Sequence, residues 1–221
     1  MAWKRRWRRA RTILRERGLR ALVTTGFRWY VLDHREFFLF ERQHEPWPEG
    51  SFRPTLDQFE EHFVSSNAQA DALTESHDDF RRLSHGSRNA LDAGATAFCI
   101  YVGRDVAHYA WVATTLEARR TLDRLGFEVP FDQGVAWTGA AWSNPTYRGK
   151  GLLKYASYRR FEYLRQLGFT ASRGAVERRN RASLRANVHF MPRVYGVGIY
   201  WRVFGRRYWR ERALRPGEFT T

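Results

Sequence analysis

Residues 144–157, NPTYRGKGLLKYAS, set two glycines and two cations between an apolar, strand-like run (GVAWTGAAW, 134–142) and a helix-like run (LLKYASYRRFEYLRQLGF, 152–169). Glycine lets a backbone come close to a ligand. A helix start offers unpaired N–H groups and a partial positive charge. Arg148 and Lys150 add formal charge. Residues of these types in this order suit a phosphate group. Two familiar phosphate loops do not fit. A Walker loop needs glycine where Asn144 stands and Ser or Thr where Gly151 stands; a dinucleotide loop needs glycine where Lys154 stands.

The elements that must hold this junction are read from periodicity. Residues 2–17 read as a basic amphipathic helix, with Trp3, Trp7, Ala10 and Leu14 on one face. FRWYVLDHREFFLFER (27–42) reads as one or two strands, and the proline-rich stretch 44–54 as a loop. Thr55 is the expected N-cap of a helix over 56–64, and a second helix is expected near 78–91. ATAFCIYVGRDVAHYAWVATT reads as a hairpin turning at Gly103–Asp105, with His108 on the same face as Val106, Ala110 and Val112. Residues 116–126 read as a short helix or an elaborated loop, and residues 134–142 as a strand. The helix after the junction places Leu153, Ser157, Phe161, Leu164 and Leu167 on one stripe and stops at Gly168. Then come a strand over 169–177, a helix capped by Asn180 and ended by Pro192, and a strand in which Tyr195, Val197, Ile199, Trp201 and Val203 alternate. This order indicates a mixed α+β sheet.

Pro145-x-Tyr147-Arg148-Gly149-Lys150-Gly151-Leu152 resembles the acyl-CoA loop, (Gln/Arg)-x-x-Gly-x-(Gly/Ala), of the Gcn5-related N-acetyltransferase (GNAT) superfamily. Asn180-x-x-Ser183 is similar to that family's Asn-x-x-Ser/Ala at the helix beside the pantetheine arm, and the spacing of about thirty residues between the two pieces agrees. The resemblance spans roughly residues 97–204. It implies a central mixed, mostly antiparallel sheet flanked by helices, acetyl-CoA (acyl-CoA) as donor and an amine as acceptor. The donor-binding residues it implies are Trp142, Ser143, Arg148, Gly149, Lys150, Gly151, Leu152, Leu153, Asn180 and Ser183. A backbone N–H of the 140–143 strand would polarise the thioester carbonyl. Four positions depart from the pattern: Leu153 stands for the last Gly/Ala, Met191-Pro192 for a Gly-Phe, and Asn187 for the tyrosine that protonates the leaving thiolate.

Acyl transfer to an amine also needs a base and an acid. Glu177 ends the strand expected to diverge from 134–142 and is one candidate base, against a solvated carboxylate beside Arg178 and Arg179. His108 is another, since imidazole titrates near neutrality, against a satisfied sheet histidine. Tyr195 is the candidate to replace the missing tyrosine acid, against ordinary sheet packing. No His-x-x-x-His with a third partner occurs, so no metal is expected.

The chain has 221 residues, with 43% hydrophobic and 16% aromatic content, which excludes a disordered chain and suits one domain (27–221) with a basic N-terminal extension (1–26). No apolar run is long enough to span a membrane. The single cysteine, Cys99, in the apolar run AFCIYV, reads as a buried inert thiol. A cytoplasmic protein is expected. The net charge of +15 is uneven. Residues 1–22 hold nine Lys or Arg against one Glu, residues 147–215 hold eighteen against three, and residues 43–93 are acidic, with four Arg against ten Asp and Glu. The basic ends suit a polyanion. Residues 1–17 suit an anionic membrane surface, at the inner face of the membrane, or a helix packed on the domain by its narrow apolar face. Nucleic acid enters through a second reading, an aminoacyl-tRNA-dependent transferase of similar core fold, and a third reading is a non-catalytic binding module.

Overall fold

The computed structural model describes residues 32–219. The helix expected over 2–17, the extension boundary at 26 and the first residues of the 27–42 strand lie outside them.

Eight strands form one sheet, and five α-helices cover its two faces among the described residues. The strands are β1 (Leu32–Gln43), β2 (Glu60–Val64), β3 (Thr96–Val102), β4 (Asp105–Ala113), β5 (Val135–Ser143), β6 (Ala171–Glu177), β7 (Arg193–Val203) and β8 (Arg206–Arg212). The helices are α1 (Asn67–Leu73), α2 (Ser87–Asp92), α3 (Leu116–Leu122), α4 (Leu152–Gln166) and α5 (Arg181–Val188). The sheet order is β2-β3-β4-β5-β6-β1-β7-β8, and every neighbouring pair is antiparallel except β5 and β6.

Alternation sorts the side chains between the two faces. On one face Leu39, Cys99, Tyr101, Trp111 and Trp137 pack with Ala70, Ala90 and Ala118 from α1, α2 and α3. On the other, Phe98 and Ile100 pack with Leu152, Tyr155, Ala156 and Phe161 of α4, and Phe38, Phe40 and Val197 pack with Leu184 of α5. Both faces are covered, which is why FFLF in β1 and AFCIYV in β3 are continuous apolar runs. Cys99 is fully buried, and burial pushes its thiol pKa far up.

Four local expectations are corrected. Residues 56–64 are not a helix: Glu60–Val64 is an edge strand paired with Ala97–Tyr101, and the Thr55 N–H donates to the distant Lys150 carbonyl instead of sitting at a cap. Phe59 and Phe63 at i, i+4 imitate a helical face, but tertiary pairing overrides the pattern. A helix does form at Asn67–Leu73, capped by Ser66, whose side chain accepts from the Gln69 N–H. The expected helix near 78–91 is split into a 3-10 turn (Phe80–Arg82) and α2, separated by Gly86 at φ +86°. A β-bulge between Ile100 and Tyr101 moves Val106 onto the α1–α3 face, so His108 does not share a face with it. The stripe on α4 also ends sooner than expected, because Leu167 is its C-cap and is exposed. β8 carries so many arginines that its alternation is hidden; it returns from β7 through the Phe204–Gly205 turn, where both residues have positive φ.

Candidate active site

The central feature is a fork between the two parallel strands. β5 and β6 pair only over Val135–Trp137 and Ala171–Arg173. Beyond that point Ala140 and Ala141 of β5 together oppose Ala110 of β4, because Tyr109 pairs with Trp142 and Trp111 with Gly139. This bulge holds Ala140 at φ 47°, a conformation that alanine rarely adopts. A bulge bends its strand, and here it turns β5 away from β6. The burial changes at the same place: Val135–Thr138 are buried, whereas Ala140 and Ala141 are exposed. The far half of β5 therefore pairs with β4 on one edge and presents its other edge to the fork.

The glycine junction stands beside the open end of β5. Asn144 starts a 3-10 turn (Pro145–Tyr147), its side chain accepting from the Thr146 N–H at 3.1 Å. The Asn144 N–H donates to the Ala107 carbonyl, and the Tyr147 hydroxyl donates to Asp105 at 2.7 Å, which ties the turn to the β3–β4 hairpin. Gly149 and Gly151 lie at φ +79° and +81°, and Gly151 is the N-cap of α4. No backbone carbonyl among the described residues accepts from the amides of residues 149–153. Arg148, Gly149, Lys150 and Gly151 are exposed, while Leu152 is buried against Phe98 and Ile100 and Leu153 is half-buried. The loop thus presents amides without a backbone acceptor at a helix start, flanked by two exposed cations. Residues 44–59 brace its outer side: Thr55 binds the Lys150 carbonyl at 3.0 Å, and the Lys154 ammonium donates to the Ser51 carbonyl at 3.0 Å.

On the far side of the fork, Asn180 accepts from the Ser183 N–H at 3.1 Å and so starts α5 as a side-chain cap. The Asn-x-x-Ser spacing has that local job whatever else it does. Asn187 lies one turn further on, and its amide donates to the Ser183 carbonyl at 2.7 Å.

Two arginines that the sequence reading did not single out fill the apex of the fork on the α4–α5 face. Arg42, near the end of β1, donates from Nη2 to the Asn187 carbonyl oxygen, between the rings of Phe40 and Phe161. Its Nη1 lies 3.7 Å from where a Cβ on Gly174 would stand, and that same Cβ would come within 2.5 Å of the Thr138 carbonyl. The glycine therefore lets β6 close onto β5 at the apex. Arg160 of α4 donates to the Ala156 carbonyl at 3.0 Å, the Trp111 carbonyl at 3.1 Å and Ser157 Oγ at 3.2 Å. Both guanidiniums are buried, and neither forms an ion pair among the described residues. Burial lowers Arg42 to about 9, with Arg160 as a second cause, and burial lowers Arg160 to about 10. Arg42 Nε and Ser172 Oγ are buried without a partner among the described residues. Arg42 ends an apolar strand and Arg160 interrupts a helix stripe, which marks them as unusual but not as neighbours.

His108 is fully buried on β4. Its Nδ1 is 2.8 Å from Ser143 Oγ, and its Nε2 has no hydrogen-bond partner among the described residues. Burial, and secondarily Arg160, lower its pKa to about 3, so it is neutral at pH 7 and a weak base. Trp142 stacks on Tyr109, with centroids 5.7 Å apart. Glu177, at the last position of β6, is partly exposed, and its neighbour Arg178 pairs with Glu36 and Glu218 instead. Tyr195 packs in the α1–α3 face with Arg173 4.8 Å over its ring, and Arg173 pairs with Glu41 at 2.7 Å. The Tyr195 hydroxyl is buried without a hydrogen-bond partner among the described residues, and burial raises its pKa to about 12. The fold thus gathers Trp142, Ser143 and His108 on one arm of the fork and Asn180 and Ser183 on the other, with the Arg148–Leu153 loop beside the first. Tyr195 belongs to the opposite face of the sheet from Arg42 and Asn187.

No protein-family model matches the chain, and no curated protein matches it. Solved structures do. A tandem GNAT protein from the clavulanic acid biosynthesis pathway superposes with a TM-score of 0.50 at 11% identity, over 83% of this chain and 59% of that one. A GCN5-related N-acetyltransferase-like protein from Streptococcus suis gives 0.48 at 10% identity, over 87% and 69%. A GCN5-related N-acetyltransferase from Sphaerobacter thermophilus gives 0.43 at 14% identity, over 83% and 56%. The chain thus spans less than two thirds of the length of the first and last of these. At such identities the likeness concerns the fold, and the fold is that of the GCN5-related N-acetyltransferases.

Proposed function

We propose that the chain is an N-acyltransferase that takes an acetyl group from acetyl-CoA and passes it to an amine. The observation that carries this reading is the forked sheet with an open β5 edge leading to the free amides of residues 149–153. A pyrophosphate is the ligand that such a loop suits, since successive N–H groups and the start of α4 converge on it. The pantetheine arm is itself an extended amide chain, and the unpaired edge of β5 offers it a ladder. Leu152 serves by anchoring the loop in the core.

In the reaction a neutral amine nitrogen bonds to the thioester carbonyl carbon, and the C–S bond then breaks with its electron pair leaving on sulfur. A β5 amide in the 140–143 stretch polarises the carbonyl oxygen. The site carries no tyrosine where the family pattern has one, and Arg42 with Asn187 takes its place. A buried guanidinium in a region without carboxylate partners stabilises a developing thiolate by charge, with no proton transfer required. Release as thiolate is feasible because an ordinary thiol has a pKa near 8.5. Glu177 receives the proton that the amine loses. His108 contributes as a neutral hydrogen-bond partner of Ser143, not as the base. Tyr195, a phenol held neutral, supports Arg173 instead of acting as the acid.

The test is release of CoA thiol from acetyl-CoA in the presence of a panel of primary amines, followed with a disulfide dye. Cys99 is buried and its thiol strongly disfavours ionisation, so the folded protein adds no background. Amine-dependent release that Glu177→Gln and Arg42→Met each reduce by tenfold or more supports the reading. Absence of acetyl-CoA binding to the wild-type chain refutes it.

A further inference from the structure

Away from the fork, three groups with metal-binding chemistry meet at the edge of the sheet. Glu60 and His62 alternate on β2 and so share a face, and His77 reaches them from the loop after α1. One ligand atom from each lies within 4.8 Å of the other two. His77 Nε2 is 3.4 Å from Glu60 Oε2, and His62 Nε2 is 3.7 Å from the same oxygen. Tetrahedral zinc with bonds of about 2.0–2.2 Å sets its ligand atoms roughly 3.3–3.5 Å apart. Two of the separations are therefore within a few tenths of an ångström of that spacing without any ion.

The surroundings fix these groups in place. His77 is buried, its side chain 6% exposed, and its Nδ1 lies 2.8 Å from Ser76 Oγ. With Nδ1–H donating to that hydroxyl, Nε2 carries its lone pair toward Glu60, which is the arrangement of a metal-bound histidine with an outer hydrogen bond. The Tyr101 ring supports both imidazoles, 4.2 Å from His77 and 5.9 Å from His62. The loop that carries His77 is held by the Asp78 N–H on the Arg104 carbonyl and by Arg81, whose buried guanidinium binds Asp71 and Asp79. His62 Nε2 is buried and has no hydrogen-bond partner among the described residues. The surrounding segment 43–93 is the acidic part of the chain, with ten Asp and Glu against four Arg, which favours a cation.

We propose that Glu60, His62 and His77 form a transition-metal site of the zinc class. Two imidazoles favour zinc over calcium or magnesium, and a carboxylate oxygen is a common third ligand beside them. The Glu60 side chain is 65% exposed, so the fourth position faces solvent and takes water or a small anionic ligand. The metal ties the edge strand β2 to the loop that joins α1 to α2. The proposal is independent of acyl transfer.

The test uses the full chain after chelator treatment, titrated with Zn2+ by calorimetry and with Co2+ by visible absorption. Expected are one Zn2+ per chain, a Co2+ spectrum with nitrogen and oxygen ligands at low coordination number, and a thermal midpoint that rises with Zn2+. Glu60→Gln and His62→Asn, both on exposed or half-exposed positions, should each weaken binding by at least about 100-fold. Ser76→Ala should weaken it about 10-fold through the outer hydrogen bond. Equal Zn2+ affinity in wild type, Glu60→Gln and His62→Asn overturns the proposal, as does a wild-type chain that takes up no stoichiometric Zn2+. Acetyl-CoA binding should be unchanged in all three variants.

Discussion

Replacing Gly151 by alanine separates the shape of the junction from its charge. The residue sits at φ +81° and ψ 4° as the N-cap of α4. An added Cβ would find the Pro54 Cα at 3.7 Å, an ordinary contact, so there is no clash to relieve. The whole cost is the left-handed backbone, about 1–2 kcal/mol for an L-residue with a side chain. The loop can either hold its conformation, with stability reduced by that amount, or rotate the 150–151 peptide and re-aim its N–H groups. In the second case acetyl-CoA affinity falls by a factor of about 5–30, the binding equivalent of the same energy. Gly151→Asn should cost less, because asparagine tolerates this region. Lys150→Ala removes an exposed charge and should cost under about 1 kcal/mol. Calorimetry of acetyl-CoA binding, paired with urea denaturation of each variant, gives both numbers. Relative to wild type, the losses in affinity and stability should together account for about 1–2 kcal/mol in Gly151→Ala and less in Gly151→Asn. If Gly151→Ala loses neither affinity nor stability, or if Lys150→Ala weakens binding by well over about 1 kcal/mol, the free amides are not what the ligand uses.

Two further perturbations probe the apex of the fork. His108 has a folded pKa of about 3 against an ordinary 6.5. Between these values the unfolded chain binds a proton that the folded chain refuses, so stability falls as pH drops from 6.5 and is lost progressively until about 3. Between pH 6.5 and about pH 5 that amounts to about 2 kcal/mol; His108→Asn, compared with wild type by denaturation at pH 7 and pH 5, should remove this part of the slope, and an unchanged slope would mean that His108 is not held neutral by burial. Asn187→Ala strips the buried Arg42 of its side-chain acceptor and should cost about 1.5–3 kcal/mol, the value of a hydrogen bond to a charged group; adding Arg42→Met, whose side chain can pack between Phe40 and Phe161, should recover part of that, and additive losses in the double variant would show that the two residues are not coupled.

What was legible in the sequence was local. Gly149, Gly151 and Gly168 are glycines because the chain takes positive φ there, and Asn180 caps its helix within three residues. The hairpin at Gly103, the strand before the junction and the alternating strand at 193–203 were likewise readable from turn chemistry and period. What was not legible depends on distant partners. The fork arises from a bulge at Ala140–Ala141, and neither alanine announces it. Arg42 meets Asn187 across 145 residues of sequence. The histidine cluster was hidden by a specific error. On a helix, residues 60 and 62 point to different sides, so reading 56–64 as helical separated Glu60 from His62. On the observed strand they share a face, and the fold brings His77 to them. The insertion of β1 between β6 and β7, which delivers Arg42 to the apex, follows from pairing and not from pattern.

The central claim is that acetyl-CoA lies along the open edge of β5 with its pyrophosphate on the start of α4. Amide hydrogen exchange with and without acetyl-CoA tests it directly, because the loop amides and those on the open edge of β5 have no backbone partner among the described residues. Slowed exchange is expected at the open-edge amides within residues 139–143 and at residues 149–153 on adding acetyl-CoA, with no change at β2 or β8. Slowed exchange confined to other segments, or no change anywhere at saturating acetyl-CoA, would contradict it.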